Sequence, residues 1–585
     1  MTYRAPTGDL AFQLRHVAGF AGVAALPGFD DGLDELVEPV LDEAAKLAED
    51  KLAPLNAVGD RLGATLQDGV VTMAPGFAEA FDAFVDGGWK ALPFPVEHGG
   101  QNLPWSLAFA VAELWHSANL AFGNCPLLTQ GAIEALVHHG TPAQRQRYLH
   151  PLCAGRWTAT MCLTEPQAGS DLGAIQTKAV AAGDAYRLTG TKIYITYGEH
   201  DLADNILHLV LARLEGAPPG PKGVSLFLVP KWRLDAKGHL GERNHVHCLG
   251  LEHKLGIKAG PTCTLRFGDD ATGEGAWAEL VGQPHDGLRC MFTMMNNARL
   301  SVGLQGLAIA ERACQQALAY ARQRVQGQRH GQPTALIGHA DVRRMLMTMQ
   351  SQILAMRGLV LTAAAAIDHA ARHPDALVRR RMAGRVELLT PIVKAWCTDL
   401  GVELASLAIQ VHGGIGYIEE TGAAQHLRDA RIAPIYEGTN GIQALDLVGR
   451  KMRLDQGELP WQLFEELRHE LRELEVEGAH DLVRGLRPAL ANAEAATRWI
   501  QGQHGHDDDA VSAGAAPYLR LMGQLLGGFV LVRGLRAAER LHRPDLPWRR
   551  AAARFYTEQL LPPASALLPA IIAGSTVLDP SLFDA

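Results

Sequence analysis

Glu437 stands in the run Tyr436-Glu437-Gly438-Thr439-Asn440, on a loop that leads into a helix with Thr439 or Asn440 as its N-cap. A carboxylate set between an aromatic ring and a glycine, half-buried and facing a cleft, can act as a general base. Burial raises its proton affinity toward neutral pH. Upstream lie Gln410-Val411-His412-Gly413-Gly414-Ile415-Gly416-Tyr417 and then Arg428-Asp429-Ala430-Arg431. The glycines at 413, 414 and 416 allow a ligand to approach the backbone closely. The order is helix then loop and the spacing differs, which excludes the strand-to-helix dinucleotide fingerprint.

Three other segments carry chemistry-bearing side chains. Met161-Cys162-Leu163-Thr164-Glu165-Pro166-Gln167-Ala168-Gly169-Ser170-Asp171 sits where helices give way to strands. Pro166 and Gly169 force an irregular loop, so backbone N–H groups and the hydroxyls of Thr164 and Ser170 can meet a polar ring edge or phosphate oxygens. Lys192-Ile193-Tyr194-Ile195-Thr196 reads as a strand whose alternation puts Tyr194 and Thr196 on one face, where they can cover a planar ring. Asn296-Asn297-Ala298-Arg299 and Arg322-Gln323-Arg324-Val325-Gln326 supply guanidinium forks suited to phosphate. Taken singly, each segment also reads as plain structure: a domain-junction turn, a packing tyrosine, surface arginines, a solvated loop glutamate.

The elements that must position these residues change texture along the chain. Residues 1–34 form an N-terminal extension. Residues 35–158 have helical apolar spacing, with Leu36, Val40, Ala44 and Leu47 lining one helix face. Residues 159–282 form a middle β domain, with strand-like runs at Lys192 to Thr196, Ile206 to Ala212, Val224 to Val229 and Thr262 to Phe267. Residues 283–455 return to long helical patterns, Ala-rich in places, as in a four-helix bundle. Residues 456–585 add an extra helical domain, in which Gln501 to Asp509 reads as a loose polar connection. The fold class is therefore mainly α with a central β domain, barrel-like or a sandwich.

Composition narrows the function. The chain has 585 residues, 47% apolar and 20% charged, with a net charge of -9. That is globular and speaks against a general nucleic-acid binder. Eight scattered cysteines without a C-x-x-C pair read as free thiols in a reducing compartment. The 24 histidines, including the pair around Val246 at His245 and His247, show no metal-ligand spacing, so no metal is expected. No signal peptide and no uninterrupted run of about 18 apolar residues is seen, the best stretch being Leu519 to Val532. A cytoplasmic location is the default expectation. Arg533, Arg536, Arg540 and Arg543 accompany Leu and Val residues, so a peripheral membrane contact competes with a role covering a domain surface.

In this order, T-E-P-x-A-G-S-D, K-x-x-I-T, an arginine-bearing helix, Q-x-x-G-G-x-G and Y-E-G-T resemble the acyl-CoA dehydrogenase family over about residues 35 to 455. The two terminal additions resemble a larger bacterial branch that includes fatty acyl-CoA and 3-(methylthio)propionyl-CoA dehydrogenases. The resemblance implies FAD as cofactor and an acyl-CoA thioester as substrate, oxidised to a trans-2-enoyl-CoA as in fatty acid β-oxidation. It implies Glu437 as the catalytic base. Met161, Leu163, Thr164, Tyr194, Ile195 and Thr196 would lie along the flavin, with Tyr194 where many members have Trp and Thr196 near its reactive nitrogen. Arg324, Gln326, Gln410, Gly413 and Gly414 would reach the FAD of a neighbouring subunit in a homodimer or homotetramer, and Thr439 would sit by FAD. Ser170, Asn296, Arg299 and Gly438 would contact substrate, with Asn296 replacing a common Asp. Gly441 stands where Gln is common, so that contact is not carried over. Electrons would pass to an electron-transferring flavoprotein. The rival readings within the fold are an acyl-CoA oxidase and a DNA-associated flavoprotein.

Overall fold

The computed structural model describes residues 3–235, 237–269 and 271–584. Helices α1 (Thr7–His16), α2 (Val37–Leu47), α3 (Trp105–Ala118) and α4 (Leu120–His139) belong to its first part. The stripe that α2 buries is Val37, Leu41, Ala44 and Leu47, while Leu36 is 45% exposed. The sequence spacing started this face one residue early, because Leu36 closes a 3-10 turn and the α-helix begins only at Val37.

Besides a small hairpin of Trp232–Leu234 with Leu240–Arg243, eight strands follow: β1 (Trp157–Cys162), β2 (Lys178–Ala182), β3 (Ala185–Thr196), β4 (Asn205–Leu214), β5 (Val224–Pro230), β6 (Val246–Leu251), β7 (Thr262–Phe267) and β8 (Ala276–Val281). They make one sheet in the order β6-β7-β3-β8-β5-β4-β1. Strand β2 pairs with both β3 and β4, which closes a barrel-like ring β3–β8–β5–β4–β2. The inner residues are β-branched, aromatic and Leu side chains such as Val210, Phe227, Leu188 and Phe267.

Helix α5 (Gly287–Gln323) then runs for 37 residues. The sequence pattern continues helical beyond it, but the structure inserts a hairpin, β9 (Val325–Arg329) with β10 (Gln332–Ala335). The run Val325-Gln326-Gly327-Gln328-Arg329 is polar and exposed, so no apolar stripe keeps it helical. Helices α6 (Ala340–Arg372), α7 (Ala376–His412), α8 (Ala423–Ala430) and α9 (Asn440–Gly449) complete the bundle. Helices α5 and α7 meet backbone to backbone. A Cβ on Gly306 would lie 2.2 Å from the Cys397 carbonyl oxygen, and one on Gly401 2.8 Å from the Gly306 carbonyl oxygen. Only glycine permits that approach.

The last part comprises α10 (Leu459–Val476), α11 (His480–Gln503), α12 (Asp508–Arg540) and α13 (Leu546–Phe555). The connection read as loose shrinks to residues 504–507 between α11 and α12. Two helices, α6 and α12, are long and apolar enough to cross a membrane, and both are largely buried inside the protein. The stretch Leu519 to Val532, which Arg520, Gln524 and three glycines keep from being an uninterrupted apolar run, lies within α12. The apolarity of both helices is that of a bundle core. Arg533 pairs with Glu470 at 2.6 Å and Arg536 with Glu473 at 2.9 Å, both acids on α10. Arg543 pairs with Asp545 at 2.8 Å. Arg533 and Arg536 therefore join α12 to α10, as expected of arginines that cover a domain surface. At the core of the molecule Arg357 on α6 meets Glu113 of α3 at 2.6 Å, Asp9 of α1 at 2.6 Å and Glu311 of α5 at 2.7 Å. This hub ties the N-terminal helix to the bundle. All eight cysteines are buried and unpaired.

Candidate active site

Glu437 sits at the apex of a short loop before α9. Its backbone is left-handed at φ 58°, followed by Gly438 at φ 85°. A non-glycine residue there costs on the order of 1–2 kcal/mol, so the surroundings must enforce it. The Asn440 N–H donates to the Pro434 carbonyl at 2.9 Å and closes the loop. Thr439 is the N-cap of α9, its hydroxyl accepting from the Ile442 N–H at 3.2 Å. Gly438 suits the turn because its φ of 85° is one that side-chain-bearing residues rarely adopt. On the other side, Arg299 of α5 donates through Nε to the Glu437 carbonyl oxygen at 3.3 Å. The Tyr436 hydroxyl donates to Gln305 of the same helix, whose amide donates to Asn124 Oδ1 at 2.6 Å.

Electrostatics favour a base. Burial pushes the Glu437 carboxyl up to about 7, against the opposing pull of Arg299 and Lys394. Lys394, buried on α7, is itself pushed down to about 7 by burial. Asn296 lies one turn before Arg299 on α5, and its Oδ1 is among the buried atoms of the described residues with no protein partner.

The second cluster lies on the sheet. Glu165, from the first motif, and Lys192, from the second, form a buried ion pair at 2.8 Å. Lys192 also donates to the Leu163 carbonyl at 2.9 Å, and the Ile193 N–H donates to the Thr164 carbonyl at 3.0 Å. Burial would raise the Glu165 carboxyl, but Lys192 and the donors at Thr177 and Gln176 outweigh it and hold it at about 2. The pair therefore fixes Met161, Leu163 and Thr164 against β3. The simple alternation that put Tyr194 and Thr196 on one face is interrupted. The register with β7 shifts between Lys192 and Ile195, and Tyr194 takes a left-handed φ of 60°. This bulge leaves Tyr194 60% exposed, Ile195 buried and Thr196 half-buried. Ser170 is exposed on the loop after β1.

The third cluster is at the far end of α5. Arg324 caps that helix and donates to Gln326 Oε1 at 3.4 Å. Tyr320 stacks on His412 with ring centroids 4.7 Å apart, which brings Gln410, Gly413 and Gly414 to the same end. From there the chain returns along α5: Gln316 donates to the Thr421 carbonyl at 2.6 Å, then Tyr436 reaches Gln305 and Glu437 reaches Arg299. Arg324 follows Arg299 by 25 positions on one helix, roughly 37 Å at 1.5 Å per residue. The structure thus joins Glu437, Gly438, Arg299 and Asn296 in one place and Arg324, Gln326 and the 410–414 turn in another.

Sequence reasoning missed Lys394, Asn440 as a partner of that lysine, and the pairing of Glu165 with Lys192. A signal existed for Lys394: it is a lone charge inside the apolar run Leu388 to Cys397. Arg428 and Asp429 prove structural, Arg428 pairing with Asp60 at 2.7 Å and Asp429 accepting from the Ile257 N–H at 2.5 Å. Where spacing suggested no metal, the fold brings His245, His247 and Asp269 together with ligating atoms within 4.8 Å of one another. His245 also contacts Glu274 at 3.0 Å.

Four family models match the chain in order: acyl-CoA dehydrogenase N-terminal domain over residues 36–156, middle domain over 160–269, C-terminal domain over 285–452, and acetyl-CoA dehydrogenase C-terminal like over 463–579. The chain is 44% identical to a 3-methylmercaptopropionyl-CoA dehydrogenase of Ruegeria pomeroyi, covering 92% of each protein. It is 36% identical to a broad-specificity linear acyl-CoA dehydrogenase of Mycobacterium tuberculosis, over 78% of this chain and 76% of that one. Among solved structures, Caenorhabditis elegans ACDH-11 in complex with C11-CoA matches at a TM-score of 0.77 and 21% identity, over 96% of this chain and 92% of that one. This last likeness speaks for the fold alone.

Proposed function

The chain belongs to the acyl-CoA dehydrogenase family, and on that premise we propose that Glu437 takes the α-proton of an acyl-CoA thioester that is oxidised to the 2-enoyl-CoA. The observation that carries this is a carboxyl at about 7, held by two helices at the apex of a strained turn. A base works best with a proton affinity near the working pH. The turn leaves the Glu437 N–H beside the carboxylate, and a backbone donor there can hold the thioester oxygen as charge develops on it. Asn296 Oδ1 offers an acceptor to an amide N–H of the substrate's pantetheine arm.

The residues fit FAD as the cofactor, with one condition. Tyr194 is an exposed aromatic ring next to the hydroxyls of Thr164 and Thr196 and the apolar Met161, Leu163 and Ile195, a set suited to a planar ring with a polar edge. The cation of that region, Lys192, is committed to Glu165. The guanidinium suited to a pyrophosphate, Arg324, belongs to the far cluster with Gln326, Gln410, Gly413 and Gly414, where the glycines face open space. In this reading each FAD takes its ring set from one subunit and its phosphate set from a neighbour in a homodimer or homotetramer. When bound, FAD accepts the β-hydrogen as hydride. Thr439 beside Glu437, and Ser170 on the loop after β1, complete the cofactor and substrate contacts of this reading. Electron-transferring flavoprotein as acceptor and a cytoplasmic location belong to it too, the latter supported by eight reduced, buried thiols.

For the acyl group, the similarity to the Ruegeria enzyme favours a short thioether chain, 3-(methylthio)propionyl-CoA, over long fatty acyl chains. Anaerobic bleaching of the flavin across acyl-CoAs from short to long, with 3-(methylthio)propionyl-CoA included, tests this. Fast bleaching by the thioether and butyryl thioesters is the expected result. Fastest bleaching by a long-chain acyl-CoA overturns the substrate assignment, and no bleaching by any acyl-CoA overturns the activity.

A further inference from the structure

The loop that carries Glu437 is gripped from α7 as well as from α5. Lys394 Nζ donates to Asn440 Oδ1 at 2.8 Å. Asn440 spends its own amide on the same helix: Nδ2 donates to the Ala395 carbonyl at 3.1 Å, to Thr398 Oγ1 at 3.0 Å and to Asp399 Oδ1 at 2.7 Å. Its backbone N–H closes the Glu437 turn on Pro434. A fully buried ammonium is costly unless something charged or polar faces it. Here the hydrogen-bond partner is a neutral amide, and the charges that act on it are Glu437, Asp399 and Arg299. The glycine contact between α5 and α7 sets Val393, the neighbour of Lys394, against Gly303, one turn beyond Arg299.

Resting on the reading of Glu437 as the base, we infer that Lys394 is a positioning residue for it. Through Asn440 it fixes the turn from α7 while Arg299 holds the Glu437 carbonyl oxygen from α5, and the charges of both cations favour the carboxylate. The groups facing this carboxylate are Arg299 from α5, Lys394 from α7 and the Tyr436 ring from its own loop, with Asp399 and Asp446 acting on the two cations. Burial alone would make Glu437 a weaker acid than it is. Arg299 and, after it, Lys394 pull ionisation back toward the working range.

The test uses the flavin-loaded enzyme. In Lys394→Met the acid limb of kcat/KM moves to higher pH by about one unit, the size of one lost opposite charge. Lys394→Arg keeps the limb in place. A lysine that merely packs would lower kcat with the limb unmoved, and that result overturns the inference. Infrared difference titration of the protonated carboxyl, assigned by its loss in Glu437→Gln, reads the same shift between wild type and Lys394→Met without substrate. A wrong base assignment therefore leaves the infrared shift intact while uncoupling it from the rate. Where the Met variant does not fold, lysine side-chain nitrogen NMR on Glu437→Gln gives the reciprocal: the Lys394 ammonium then deprotonates at lower pH than in wild type. An unchanged lysine titration refutes the coupling.

Discussion

The two ends of helix α5 are built for different tasks. At the Arg299 end, Arg299 and Lys394 are buried and Glu437 half-buried, the turn is strained, and the hydrogen bonds that hold it come from α5, α7 and the loop itself. At the Arg324 end, Gln326, Gly413, Gly414, Ile415, Tyr417 and Ile418 are exposed. Tyr417 shows 84% of its surface and Ile418 50%, a grouping of apolar side chains that a lone chain gains nothing by displaying. The first end is finished within one chain. The second has the residues of a binding site and no wall. On the proposed function, that difference would make proton abstraction the business of one subunit and cofactor retention that of whatever covers the far end.

The sharpest way to break this comparison is to remove the base. Glu437→Gln is nearly isosteric and should lower kcat by two to four orders of magnitude, the usual worth of a positioned general base, while flavin content stays at the wild-type level. Because the carboxyl sits at about 7 and acts as the carboxylate, kcat/KM of the wild type should rise with pH through about 7 and then level off. Turnover by the Gln variant near the wild-type rate would sink the assignment. The same proton affinity has the opposite sign for stability. A carboxyl raised above its unfolded value favours folding below the ordinary carboxylate range, and that contribution is lost as pH rises through about 7.

Next in size is the buried pair under the flavin-ring residues. Lys192→Met leaves Glu165 uncompensated and should cost about 3–5 kcal/mol in denaturant unfolding of the sheet. The double change with Glu165→Gln should recover part of that loss. Here the sign of the pH effect reverses. Glu165 is held at about 2, so its contribution is complete above the ordinary carboxylate range and is lost as pH falls toward about 2. Equal destabilisation by the single and double changes would show that the pair is not what joins the two motifs.

Much of this was legible in the sequence, for identifiable reasons. The strand runs at Ile206 to Ala212 and Val224 to Val229 followed from short-range pattern, whereas Glu437 and Arg299 stood out only through the resemblance that the motif order carries. The bulge at Tyr194 did not, because register with β7 is set by a partner some 70 residues away rather than by local alternation. The meaning of Lys192 and Glu165 was equally hidden. Each sits in its own motif, and only the fold shows that the two motifs share one ion pair. The hairpin after α5 escaped for the opposite reason: its residues are polar and exposed, so no periodicity reports them.

The far end can be tested by exchange between copies. Arg324→Ala should weaken flavin retention by roughly 10- to 100-fold, as expected for losing charge-assisted hydrogen bonds worth about 1.5–3 kcal/mol. Co-expressing Arg324→Ala with Glu437→Gln then separates the two geometries. If each site borrows its phosphate set from the neighbour, a mixed pair contains one site with an intact Glu437 and an intact Arg324, and activity returns. If a subunit uses its own Arg324, no mixed site is whole and activity stays at the level of Arg324→Ala alone. The roughly 37 Å between Arg299 and Arg324 along one helix favours recovery.

The smallest expected effect concerns Thr439, which has two jobs in this reading. As N-cap of α9 it satisfies the Ile442 N–H, and Thr439→Ala should cost about 1 kcal/mol and lower kcat several-fold by loosening the turn behind Glu437. Asp caps a helix at least as well as Thr, so Thr439→Asp keeps α9 in place. It also sets a negative charge where a flavin contact is proposed. Thr439→Ser should match wild type in both stability and flavin content, whereas Thr439→Asp should match it in stability and lose flavin on gel filtration. Full flavin retention by the Asp variant would leave Thr439 as a cap alone and assign the cofactor contacts at this end to the sheet residues around Tyr194.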